Sequence, residues 1–242
     1  MPGRFLALEG PDGVGKSTLA ARLGTLDYPT AVAHLDRAGD TVAPLVFVSR
    51  RQVSATSEYA ANLMHQLATV LWHSGDAPDL PDAFWVGVQA AWFTAHATTV
   101  VGPLLAAGYD VIVDGWMYKF FSKLLLQGYT PHGLDVIFSR IRMPDTVVLL
   151  TADVGALYDR RSAQFRLAEL GMHAGYPTPG RDTFIEYQQR GLDHLLAFAA
   201  QRGWSTVPLD PDATIDDCVT RIEPLVTALR APVRPHPIGT HP

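Results

Sequence analysis

The sequence predicts a single α/β domain, a three-layer, doubly wound fold around a parallel sheet of about five strands. Three observations lead there. Short apolar runs rich in β-branched residues recur along the chain, too brief to be helices. Longer amphipathic stretches separate them, the alternation expected of a parallel sheet covered on both faces. The first run ends in a glycine-rich turn that leads at once into a helical pattern.

Taken in order, Arg4–Glu9 (RFLALE) reads as a buried strand, and Lys16–Gly24 as a helix with Leu19, Ala20 and Leu23 on one face. Thr30–Leu35 (TAVAHL) is a weaker second strand. Ser57–His73 repeats Tyr59, Leu63, Leu67, Val70 and Leu71 at helical spacing, with Ser57 as N-cap. Asp76–Asp82 is a Pro- and Asp-rich loop. Ala83–Ala107 reads as a long helix that Gly102-Pro103 should bend. Tyr109–Val113, Thr146–Thr151 and Ser205–Leu209 complete the strands, and helices fit Val154–Leu170, Arg181–Arg202 and Ile215–Arg230. One domain over 1–230 is expected, with a fraying Pro/His tail at 231–242.

Bulk properties narrow the function. The 242 residues suffice for one core, and 48% hydrophobic against 18% charged residues is a globular balance. A net charge of −5 argues against a partner made of nucleic acid polymer, which needs an excess of Lys and Arg. The single cysteine, Cys218, excludes an intramolecular disulfide and a Cys-based zinc cluster. Residues 1–9 lack a signal-peptide apolar stretch, and no run reaches about 18 apolar residues. A soluble, cytoplasmic protein without a membrane partner is the expectation.

Gly10-Pro-Asp-Gly-Val-Gly15-Lys16-Ser17 fits the pattern G-x-x-x-x-G-K-[ST], between a strand and a helix as the mechanism requires. Gly10, Gly13, Val14 and Gly15 wrap the loop so that N–H groups point inward, and Thr18 continues into a helix whose N-terminus favours anions. Lys16 should reach the β- and γ-phosphates of a nucleoside triphosphate, while the Ser17 hydroxyl should ligate Mg²⁺. Ligands of an open α/β sheet collect at the carboxyl ends of strands, where Asp114 ends one, so Asp114 is the second expected metal residue. No Asn-Lys-x-Asp base-reading motif of GTP switches occurs. ATP is therefore the expected donor, in a small-molecule kinase.

Several segments resemble thymidylate kinases. Phe5–Leu23 (FLALEGPDGVGKSTLAARL) is similar to their first strand and loop, including Asp12. His34–Thr41 (HLDRAGDT) resembles their second-strand segment, with Arg37 at the place of an acceptor-phosphate arginine. Ala95–Trp116, Met143–Asp153 and Pro208–Ile222 resemble later blocks. The resemblance implies transfer from Mg-ATP to a nucleoside monophosphate, thymidylate being favoured, with Asp12 contacting the acceptor sugar. It implies a lid at about 157–180. Guanidinium groups stabilise the charge that spreads over a transferring phosphoryl group. With Gly at position 13, Arg161 and Arg166 are expected to act on it and Arg160 to sit with ATP. Homodimers are common in that family, and the apolar helices at Ser57–His73 and Ala83–Ala107 could supply the interface.

The acceptor side departs from the family. Its Asp-Arg-Tyr signature reads Asp114-Gly115-Trp116, and its Ala-Asp-Arg-Ala-Gln-His block reads Ala91-Trp92-Phe93-Thr94-Ala95-His96, so two arginines are missing. Either other cations compensate, namely Lys119 and Lys123 one turn apart with Arg50 or Arg51, or the acceptor is a less charged metabolite held among Trp92, Phe93, Trp116, Tyr118 and Phe121. If it is an alcohol, Asp12 or Asp114 would orient its proton. The acceptor is expected between Arg37, Asp12, Trp92 and Asp114, with Trp116 and Lys119 beside it. A regulator that hydrolyses ATP slowly is the reading from another class.

Overall fold

The computed structural model describes residues 2–35, 44–54, 57–72, 80–161, 164–210 and 212–230. Arg37, the tail at 231–242 and most of the loop at 76–82 lie outside the described residues. β1 (Phe5–Glu9) is buried along its whole length and runs into the Gly-rich loop, which opens α1 (Lys16–Leu23). The expected strand at Thr30–Leu35 is instead the short helix α2 (Tyr28–Val32). Asp27 caps it by accepting from the Thr30 N–H at 2.8 Å, and Pro29 sits in its first turn, where a missing N–H costs nothing. The second strand is β2 (Leu45–Val48).

α3 (Glu58–Trp72) starts where expected, with the Ala60 N–H donating to Ser57 Oγ at 3.2 Å. It buries Met64 and Trp72, however, and leaves Tyr59 80% and Leu63 47% exposed. The long helix is α4 (Asp82–His96), a π turn at Ala97–Val101 and α5 (Gly102–Ala106). Pro103 brings no N–H, and the widened turn accommodates it with Gly102 N–H donating to Ala97 O. β3 (Asp110–Val113) leads to α6 (Met117–Leu126) and α7 (Pro131–Phe138). β4 (Thr146–Thr151) leads to α8 (Val154–Arg161), shorter than the expected Val154–Leu170 because turns take over after it. A 3₁₀ turn (Met172–Ala174), α9 (Arg181–Arg202), β5 (Ser205–Pro208) and α10 (Ile215–Arg230) complete the fold.

The five strands are all parallel, in the order β2-β3-β1-β4-β5. Successive strand residues face opposite layers: Phe5 and Ala7 pack with Val111, Val113, Val147 and Leu149 towards α4, α6 and α9, while Leu6 and Leu8 pack with Ile112, Val148 and Leu150 towards α1 and α10. Burial on both faces explains runs with no polar alternation. The chain leaves β1 for β2, one strand away, and β3 fills the place between them, so the loop after Glu9 and the residues after Val113 meet at one crevice. Among the described residues no helix is long and apolar enough to cross a membrane.

Asp110 ties the far ends together. It accepts from the Arg4 N–H at 2.7 Å and from Arg230 Nε at 2.6 Å, joining β3 to the residue that precedes β1 and to α10. Asp110→Ala removes the buried partner of a guanidinium and should lower unfolding free energy by about 3 kcal/mol, measured by urea denaturation.

Candidate active site

Gly10, Gly13 and Gly15 take φ of 145°, 83° and 97°, the left-handed region that side chains resist. At Gly10 a Cβ would stand 2.4 Å from Leu150 O, so no larger residue fits. Lys16 is buried under this loop, its Nζ donating to Gly10 O at 2.8 Å and Pro11 O at 2.7 Å. Burial pulls its pKa down, although Asp12, Glu9 and Asp114 oppose that.

Ser17 Oγ donates to Asp114 Oδ2 at 2.5 Å. This brings together the two residues expected to hold Mg²⁺, and hard hydroxyl and carboxylate oxygens at a phosphate loop fit that ion. The other oxygen of Asp114 accepts from the Arg50 N–H at 2.8 Å. Gly115 has φ 132°, and a Cβ there would lie 3.8 Å from an Arg50 guanidinium nitrogen. The guanidinium of Arg50 thus stands beside the position whose own arginine is missing.

Asp12 is the most heavily bonded carboxylate of the site. It accepts from Lys119 Nζ, from Lys123 Nζ at 2.9 Å and from Gln188 Nε2 at 3.0 Å, while its own N–H donates to Gln188 Oε1 at 3.0 Å. Burial alone would raise the Asp12 pKa, but the ammonium groups of Lys119, Lys123 and Lys16 outweigh it and hold the carboxylate ionised. Gln188 Nε2 also donates to Glu169 O at 2.9 Å. Gln188 lies on the buried stripe Phe184, Gln188, Leu192, and an amide in that apolar spacing was the available sequence signal.

Beside this cluster a cavity of about 200 Å³ opens, lined by Asp12, Arg50, Trp72, Gln89, Phe93, Trp116, Lys119, Lys123, Arg166 and Glu169 among others. Four cations face it among the described residues, against the carboxylates of Asp12 and Glu169 and of Asp82 at the exposed rim. Trp116 and Lys119, expected beside the acceptor, both line this cavity. Trp92 does not: it is fully enclosed, with Nε1 donating to Arg50 O at 3.0 Å, and it supports Arg50 from the core rather than lining the cavity.

The three arginines expected in a lid separate. Arg160 donates to Gly13 O at 3.0 Å. Arg161 also lies at the loop, its Cδ 3.9 Å from where a Gly13 Cβ would be, and Phe165 Cζ comes within 3.0 Å of the same point. Arg166 instead donates to Trp72 O at 3.1 Å and lines the cavity. Two buried groups escaped sequence reasoning. Glu9 accepts from the Trp116 N–H at 2.9 Å, and burial pushes its pKa up to about 7. His96 lies between Trp92 and Trp116, and burial pulls its pKa down to about 4.

Neither a protein-family model nor a curated protein sequence matches the chain. Among solved structures, a thymidylate kinase from Candida albicans superposes with a TM-score of 0.58 and 16% identity, over 94% of this chain and 92% of that one. That structure is described as revealing the origin of broad substrate specificity and a novel structural element. The likeness extends over nearly the whole chain and establishes a thymidylate kinase-like P-loop fold.

His96 generates a pH prediction. Its folded pKa of about 4 lies below the usual histidine value of 6.5, so the unfolded state binds the extra proton between those values. Its contribution to stability should be full above pH 6.5 and decline by about 3 kcal/mol as pH falls towards 4. Urea titrations of the wild type and His96→Asn should show this loss only in the wild type; parallel pH profiles would contradict it.

Proposed function

We propose that this chain is an ATP-dependent kinase that transfers the γ-phosphoryl group of Mg-ATP to the phosphate of a nucleoside monophosphate, with thymidylate as the leading acceptor. One observation carries the reading beyond the nucleotide-binding loop: an adjoining cavity with Arg50, Lys119, Lys123 and Arg166 on its walls. Against the carboxylates of Asp12, Glu169 and Asp82 those four cations leave an excess of one positive charge, which an anionic phosphate complements and a neutral alcohol would leave uncompensated.

In this reading Lys16 exchanges the carbonyls of Gly10 and Pro11 for donor phosphate oxygens, and the loop N–H groups hold the rest. Ser17 and Asp114 would hold magnesium, which would supply charge neutralisation at the donor phosphates. Lys119 and Lys123 orient the acceptor phosphate, with Asp12 keeping both ammonium groups in place and available to the acceptor sugar. One acceptor oxygen forms the new bond to the γ-phosphorus as the bond to the β-bridging oxygen breaks and ADP leaves. Arg161, already at the loop, balances the charge on the equatorial oxygens, and Arg160 latches the lid to Gly13. Arg37 is the further acceptor-phosphate ligand that the resemblance implies.

Coupled ADP-release assays against a panel of nucleoside monophosphates test this. Turnover should rise with a monophosphate and most with thymidylate; no stimulation by any of them would sink the reading. Lys119→Met should raise the acceptor KM about 10- to 100-fold, the contribution of a charge-assisted hydrogen bond, and leave the KM for ATP within about two-fold.

A further inference from the structure

A second cavity, of about 210 Å³, lies across α6 from the candidate active site. Met117, Tyr118 and Phe121 face it, whereas Lys119, Phe120 and Lys123 of the same helix face the first cavity. Phe138 of α7, Ile141 and Phe198 of α9 complete its apolar lining. Two charged side chains stand at its exposed rim on different helices, Asp135 on α7 and Arg202 at the end of α9. Among the described residues neither has an ion-pair partner, and they do not pair with each other. The Arg202 guanidinium carbon lies 5.6 Å from the centre of the Tyr118 ring. That tyrosine is 6% exposed, and its hydroxyl has no hydrogen-bond partner among the described residues. The unpaired hydroxyls of Tyr176 and Tyr187 are sealed off from solvent, but that of Tyr118 is not. Burial raises its pKa, so it stays an O–H donor.

Single charges on a protein surface are commonly satisfied by water. Here a cation and an anion flank one aromatic cavity, and an open donor stands inside it. We propose that this cavity is a second binding site, for a small aromatic zwitterion of the amino-acid type. The carboxylate of such a ligand meets Arg202 and the Tyr118 hydroxyl, its ammonium meets Asp135, and its ring lies against Phe121 and Phe138. The space suits a single ring, being smaller than the roughly 300–1,000 Å³ of pockets that hold larger ligands. An aromatic acid has nothing to offer Asp135, and an aromatic amine has nothing to offer Arg202. A nucleotide fits worse still, because its phosphates would meet one guanidinium and a carboxylate at the same rim. The inference does not rest on the kinase reading and concerns a different face of the molecule.

The test is calorimetric titration of the full chain at neutral pH with three probes: L-phenylalanine, 3-phenylpropionate, which lacks the ammonium, and 2-phenylethylamine, which lacks the carboxylate. The wild type should bind phenylalanine about five- to ten-fold more tightly than either of the others, the contribution of one charge-assisted contact at a partly exposed rim. Arg202→Met should lower phenylalanine to the affinity of 2-phenylethylamine without weakening that amine. Asp135→Asn should lower it to the affinity of 3-phenylpropionate without weakening that acid. The unaffected probe in each variant controls for damage to the fold. No saturable binding of phenylalanine by the wild type would overturn the inference. Equal affinity of the wild type for the three probes would overturn it too, as would variants that leave phenylalanine binding unchanged or weaken all three probes alike. Each of these outcomes leaves the kinase reading standing, since that reading is decided by turnover.

Discussion

Everything in the site depends on one carboxylate. Lys119 and Lys123 carry their ammonium groups into the interior, which costs several kcal/mol each unless an anion meets them there. Asp12 meets both. Because Asp12 belongs to the phosphate loop, that loop and the walls of the adjoining cavity share this anion, and neither can be arranged independently. Gln188 extends the link. It holds the Asp12 main-chain N–H and carboxylate with one amide and reaches the Glu169 carbonyl with the same nitrogen. Loop, α6, α9 and the segment after α8 are thereby joined through buried hydrogen bonds.

The cluster remains short of negative charge. Burial drives the Lys119 pKa well down, and Lys16, Lys123 and Arg50 add repulsion that Asp12 does not fully offset. Glu9, beneath the loop, is protonated below about pH 7 and so contributes only part of a charge near neutrality. A site of this kind favours an incoming anion over its own empty state. The aromatic frame acts differently. Trp92 and Trp116 spend their N–H groups on main-chain oxygens of Arg50 and Arg142, which fixes the walls, while Phe93 and Trp72 face the space between.

The phosphate loop was legible in the sequence because its chemistry demands fixed local spacing. The strands β1, β3 and β4 were legible because burial on both faces writes unbroken apolar runs, whereas β5 buries only Val207. β2 was not: TAVAHL alternates more convincingly than the four residues of LVFV, and only the Asp27 cap and Pro29 mark it as helix. Contacts across long separations were harder. Lys119 could be singled out as a cation in an aromatic stretch, but its pairing with Asp12, 107 positions away, depends on how α6 leaves β3. Arg50 beside Gly115 is likewise a product of β2 lying next to β3. Trp92, expected beside the acceptor, instead gives its N–H to the Arg50 carbonyl in the core, while Trp72, with no role expected from sequence, lines the cavity; which carbonyl takes an indole N–H is not recorded in sequence.

Phosphorus NMR of the full chain with Mg-ATP and thymidine monophosphate measures the central claim most directly, since it follows the transferred atom. The expected result is loss of the ATP γ-signal with matching growth of the two coupled resonances of a nucleoside diphosphate, absent when monophosphate is omitted. Loss of the γ-signal to inorganic phosphate alone, at a rate indifferent to the monophosphate, would contradict it.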